Sequence, residues 1–186
     1  MTSSDRVTSR LLIPYTLTFG KRKRLKITLD ETGRVLALAP NRMAIRDIES
    51  FIEAHVDWIQ KARAKIASDT VIPYCGESEQ RRRAKEIKAW VSAFLETYTG
   101  KKPTRVFVRN MSSRWGSCST KGHISLTVYL LDVEESLREY VLIHELAHLY
   151  QMNHSPLFWA KVAERCPDYH SCRRKLRKYR LPKKPR

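Results

Sequence analysis

The stretch Val141-Leu-Ile-His-Glu-Leu-Ala-His-Leu-Tyr150 leaves this chain few choices. On a helix of 3.6 residues per turn, His144 and His148 differ by about 40° in azimuth and one turn in height, so both imidazoles reach a single metal ion. Glu145 stands beside them, placed to hold and deprotonate a water. Val141, Leu142, Ile143, Leu146, Ala147 and Leu149 surround these polar groups, which predicts a helix buried on most sides. Burying two histidines and a glutamate without partners costs on the order of 1 to 3 kcal/mol each, so the burial itself asks for a partner. A core helix with a satisfied histidine gives the same short pattern, but the residues that follow point elsewhere. His154 stands ten residues after His144, and a straight helix would carry it about 15 Å away along the axis. Asn153 is able to close a helix in the left-handed conformation, and Ser155-Pro156 is a helix start with Ser as cap and Pro in the first position. The chain is therefore expected to turn back at His154 and present a third imidazole. Three protein ligands with one open position is the arrangement of catalytic zinc.

Composition narrows the setting. The 186 residues are 42% hydrophobic and 30% charged, enough for one good core or two small ones. No apolar run reaches membrane-spanning length, so the expectation is a soluble, cytoplasmic protein with no membrane partner. Cys75, Cys118, Cys166 and Cys172 show no Cys-x-x-Cys spacing, which favours reduced thiols. Cys166, His170 and Cys172 lack a fourth ligand at zinc-finger spacing and do not read as a metal site. Lys plus Arg is 36 against 19 acids, a net charge of +17 that attracts polyanions. The basic residues cluster at Lys21 to Arg24, at Arg81 to Arg83 and over positions 173–186, where nine of fourteen residues are Lys or Arg. Non-specific nucleic-acid affinity follows as an expectation, against the plainer reading of a solubilising surface.

Along the chain, residues 11–19 alternate as a strand, with Tyr15, Leu17 and Phe19 on one face. After the basic turn, residues 25–29 and 35–39 predict two more strands, and together an antiparallel β-meander. Ile45, Ile48, Ile52, Val56, Ile59 and Ile66 recur at helical spacing over residues 44–66, with Phe51 and Trp58 broadening the stripe and His55 on the helix surface. Residues 68–76 read as a linker. Residues 77–98 predict a second long helix, followed by strands over 105–109, 114–118 and 123–131 that form a short antiparallel sheet. Asp132 and Glu135 have capping-box spacing, so the metal helix is expected from near Val133 to Met152. Residues 157–165 form the next helix, packed through Phe158, Trp159 and Val162, and residues 169–179 a last basic one. The fold class is α+β: a meander and helix over residues 1–70, a second domain with the short sheet and metal helix over 71–182, and a basic tail over 183–186.

The combination Arg114-Trp-Gly-Ser-Cys118, Gly122-His-Ile-Ser-Leu126, Tyr140 to Leu149 with its His-Glu-Leu-Ala-His, Asn153-His-Ser-Pro-Leu-Phe-Trp159 and Pro167-Asp-Tyr169 resembles the YgjP-like zinc metallopeptidases, relatives of the SprT-like proteases. The region from Tyr15 to Trp58 also looks like that family. The resemblance implies a small zincin-like catalytic domain, Zn2+ held by His144, His148 and His154, and Glu145 as general base in the hydrolysis of a protein or peptide. Gln151 stands where metzincins have glycine, which separates the chain from them. Glu164, on the following helix, is the competing third ligand by analogy with gluzincins. Arg114 is the first candidate for an oxyanion donor or substrate clamp, with Tyr150 and Tyr169 behind it and a structural salt bridge as its alternative role. Trp115 and Trp159 are expected to wall the site or fill the core, and Cys118 to be a small buried hydrophobe. Two other functions compete: a metal-dependent nucleotide phosphohydrolase, which lacks a Gly-rich phosphate loop here, and a nucleic-acid-binding module with structural zinc, which has no need of Glu145.

Overall fold

A computed structural model describes residues 13–183. The start of the first predicted strand and residues 184–186 of the basic tail lie outside the described residues. The chain divides after Asp69 into two compact units.

In the first unit, β1 (Tyr15–Gly20), β2 (Lys26–Leu29) and β3 (Val35–Pro40) form a sheet of order β1-β3-β2. β2 pairs with β3 antiparallel, but β1 pairs with β3 in parallel, Tyr15 opposite Val35 and Leu17 opposite Ala37. The predicted antiparallel meander is therefore corrected. The turn between β2 and β3 is local and well specified: Asp30 Oδ1 accepts from the Thr32 and Arg34 N–H groups at 2.8 and 3.0 Å, and Gly33 takes φ 81°. The basic connection after Gly20 is not a hairpin, because β1 and β2 are not neighbours in the sheet. Its residues 21–25 are enough chain to step across the strand spacing of about 10 Å that separates the two edges of a three-stranded sheet. Val35, Ala37 and Ala39, fully buried, thus occupy the centre of the sheet.

The predicted single helix over 44–66 is two, α1 (Ile45–Glu53) and α2 (Val56–Ser68). At the break, the His55 ring nitrogen Nδ1 takes the Phe51 carbonyl at 2.7 Å, and the His55 backbone N–H donates instead to Ile52 O at 3.0 Å. A side chain has captured the acceptor on which the next helical bond depends. Ile48, Ile52 and Ile59 pack fully buried with Tyr15, Leu17 and the β3 residues. Ile45, Phe51 and Trp58 stay largely exposed and do not broaden the core stripe.

The second unit contains each of its predicted helices and strands, several of them shorter than expected. Part of the predicted linker is a strand, β4 (Thr70–Val71), which pairs in parallel with β8 (Tyr179–Arg180), so the last helix is shorter than expected. α3 (Glu77–Thr97) packs Ile87 and Val91 into the main core. β5 (Arg105–Arg109), β6 (Gly116–Cys118) and β7 (His123–Thr127) form a sheet of order β5-β7-β6. The sheet is mixed rather than antiparallel, because β5 runs parallel to β7. β7 stops at Thr127, whose hydroxyl donates to Met111 O at 3.0 Å, and Val128–Asp132 winds into a 3₁₀ turn. That turn buries Val128, Tyr129 and Leu130 consecutively, which an alternating strand facing one core cannot do. α4 (Glu135–Ala147), α5 (Pro156–Ala163) and α6 (Tyr169–Leu176) complete the unit. No helix among the described residues is long and apolar enough to cross a membrane.

The predicted capping box at Asp132 and Glu135 does not form, and α4 starts at Glu135 with no side-chain cap. Asp132 is committed to Arg83 of α3, which also binds Glu79 at 2.8 Å. Both side chains of the Arg83–Asp132 pair are mostly buried, 16% and 20% exposed. Arg83→Ala should therefore leave a half-buried carboxylate without its counter-charge, lowering stability by about 2 kcal/mol in denaturant titration, between the surface and fully buried cases. A loss below about 0.5 kcal/mol would place the pair among ordinary surface contacts.

Candidate metal centre

α4 is buried on most sides, with Leu137, Tyr140, Val141, Leu142, Ile143, Leu146 and Ala147 in the core. Its regular helix ends at Ala147 rather than Met152. Leu149 and Tyr150 N–H groups reach back only three residues, to Leu146 O and Ala147 O at 3.1 and 3.0 Å, and this tightening turns the chain. His148 remains right-handed helical in backbone, φ −65° and ψ −18°, so it keeps its place one turn from His144. Asn153 does not adopt the left-handed conformation, since no residue other than glycine has positive φ among those described. Its side chain organises the reversal instead, Oδ1 accepting from Gln151 Nε2 at 2.8 Å and from the Ser155 N–H at 3.3 Å. Pro156 opens α5 as predicted, although the Ser155 hydroxyl makes no cap bond.

The reversal brings His154 back onto His144. Their Nε2 atoms face each other at 3.1 Å, and one ligand nitrogen from each of His144, His148 and His154 lies within 4.8 Å of the others. His148 Nδ1 donates to Gln151 O at 3.1 Å, leaving its Nε2 lone pair for the cluster. Phe158, fully buried, lies under all three rings at centroid distances of 4.9, 4.5 and 4.7 Å. His154, the exposed member, stacks on Trp159 at 5.7 Å, and Trp159 stacks in turn on Tyr169 at 5.2 Å.

The cluster fits a zinc ion. Two corners of a tetrahedron with bonds of about 2.0 to 2.1 Å lie about 3.3 Å apart, close to the His144–His154 separation. Burial, then the neighbouring His148, His154 and Arg173, pushes the His144 pKa down to about 3, and burial lowers His148, so these two rings are neutral donors at physiological pH. Among the described residues no other group of three metal-binding side chains converges in this way.

Glu145 is 5% exposed, and burial pushes its carboxyl up to about 8 despite the pull of the Arg114 charge. Arg114, Ser113, Ser117 and Met152 line the same open cleft of about 500 Å³ as the histidines and Glu145. Ser113, Ser117, Met152 and the Phe158 floor carry no spacing signal in the sequence. Of the other predicted residues, Glu164 is held by Lys161 at 2.7 and 2.9 Å and does not join the cluster. Tyr150 does not line the cleft, and its hydroxyl accepts from the Lys101 N–H at 2.6 Å. Tyr169 stands behind Trp159.

These shifts make the metal-free protein's stability depend on pH. A carboxyl raised from 4.5 to about 8 holds its proton better folded than unfolded, so its contribution is full below pH 4.5 and drains away toward pH 8. A histidine lowered from 6.5 to about 3 acts oppositely, but only below pH 6.5. Between pH 6.5 and 8 the Glu145 effect stands alone, so the melting temperature of metal-free protein should fall across that window and Glu145→Gln should flatten the fall. An equal fall in both proteins would remove the buried carboxyl as its cause.

The family profile described as YgjP-like, metallopeptidase domain, matches residues 75–179. Among solved structures, the metallopeptidase zymogen of Pyrococcus abyssi abylysin is similar at 28% identity over 50% of this chain and 90% of that one, with a TM-score of 0.39. The metallopeptidase zymogen of Methanocaldococcus jannaschii jannalysin is similar at 20% identity over 50% and 91%, with a TM-score of 0.38. No curated protein matches.

Proposed function

The chain belongs to the YgjP-like metallopeptidase family, and from that membership we propose a zinc-dependent peptidase whose metal is held by His144, His148 and His154. The observation that carries the reading is the convergence of three imidazoles with a buried carboxyl in one cleft. Zinc bound there supplies Lewis acidity, which polarises a carbonyl oxygen and makes water nucleophilic near neutral pH. Glu145 takes one proton from the attacking water and delivers it to the departing amine, so that peptide bond and water become a carboxylic acid and an amine. Its low exposure keeps that proton from exchanging freely with solvent. Arg114, exposed at the cleft, is the cation nearest in kind to what a developing oxyanion or a substrate carboxylate needs. Phe158 beneath the imidazoles and Trp159 beside His154 hold the ligand rings in register.

Zinc-loaded protein incubated with casein, nucleoside triphosphates and DNA, beside Glu145→Gln, tests this. Casein cleavage lost in the variant supports a peptidase. Phosphate release lost in the variant would replace it with a phosphohydrolase, and DNA binding without either reaction would leave a binding module. Recruitment to nucleic acid is part of the proposal, supported by the +17 charge and by exposed Arg174, Arg177 and Lys178 at the end of the chain. It requires binding that weakens steeply with salt; salt-independent or absent binding removes it.

A further inference from the structure

Position 116 has no conformational need for glycine. Positive φ occurs only at Gly33 and Gly122 among the described residues, so the backbone at 116 is open to any side chain. A glycine inside a strand also weakens it, by lost entropy and absent packing. What this position lacks is room. A Cβ there would stand 2.6 Å from Glu145 Oε1, 2.7 Å from its Cγ and 2.8 Å from its Cδ, closer than real Cβ atoms approach other heavy atoms. The glutamate side chain therefore lies flat against the main chain of β6, where α4 packs on that strand. Glu145 has three rotatable bonds, and contact along Cγ, Cδ and Oε1 restricts all of them at once.

We propose that Gly116 is a positioning residue: its bare Cα is the surface that sets where the Glu145 carboxylate sits relative to the three imidazoles. The inference rests on the reading of Glu145 as proton carrier, but its geometry does not. Any side chain at 116 either expels the carboxylate or forces β6 away from α4. Misplacement by about 1 Å is enough to cost on the order of a hundredfold in rate, while ligands and cleft stay as they were.

Gly116→Ala should therefore lower kcat by about a hundredfold, with KM and zinc content unchanged. In a Glu145→Ala background, which lacks the Cγ, Cδ and Oε1 atoms that the methyl group would meet, the same replacement should lower the melting temperature less than half as much as it does in the parent. A kcat within about threefold of the parent, or an equal fall in melting temperature in both backgrounds, would overturn the proposal. Crystal structures of metal-free Gly116→Ala and parent protein separate this from the peptidase reading. A carboxylate unmoved by the added methyl overturns the positioning role, whatever the activity. A displaced carboxylate in a protein whose parent cleaves no peptide supports the positioning role and overturns the peptidase reading. If Gly116→Ala does not fold, the variant that also carries Glu145→Ala decides: recovered folding supports the clash, and continued failure overturns it.

Discussion

Glu145→Gln is expected to keep its zinc and to lose turnover by about a thousandfold. The two side chains have nearly the same shape, so glutamine fits the space against Gly116 that glutamate fills, and the three imidazoles keep their places. What disappears is the ability to accept a proton from water and return it to an amine. The buried carboxyl is pushed up to about 8 in the protein without metal, and a doubly charged cation beside it acts in the opposite direction, toward the range in which a general base is useful. Metal content by atomic emission and hydrolysis of a peptide substrate check the two halves separately. Zinc lost together with activity would make Glu145 part of the metal's support; activity retained within tenfold would leave the proton to another group.

The parts of this centre that were legible in the sequence are those decided within a few residues. The His-Glu-Leu-Ala-His spacing fixes two rings on one helical face, and Ser155-Pro156 starts a helix after a reversal, so the return of His154 followed from local chemistry. Termini were less legible because they depend on distant competitors. Asp132 has the composition and spacing of a cap, yet Arg83, far back in the chain, takes its carboxylate. The sheets show the same limit: alternation identifies β1 and β3 as strands, but nothing in either says that β3 lies between β1 and β2. His55 breaks a helix that periodicity would continue, because one ring nitrogen reaches the Phe51 carbonyl. The contact of Gly116 with Glu145 joins positions that no short-range rule relates, and only the packing of β6 on α4 reveals why a glycine stands there.

His148→Ala and His154→Ala should each weaken zinc binding by at least about a thousandfold, roughly 4 kcal/mol, while Glu164→Ala should leave it unchanged. The contrast decides the third ligand. Glu164 is exposed on the surface and doubly bonded to Lys161, so recruiting it would mean breaking that pair and rebuilding the helix end. His154 needs no such rebuilding, since its Nε2 already stands 3.1 Å from that of His144. A two-histidine remnant keeps the electrostatic attraction of neither a third imidazole nor a carboxylate, and zinc then has two open corners for water or a chelator. Competition with a chromophoric chelator measures all three variants on one scale. Tight binding in His154→Ala together with loss in Glu164→Ala would exchange the roles of the two residues. Loss in His148→Ala but in neither of the others would leave the ion held by α4 alone, with the turn at 148–154 serving only to reverse the chain.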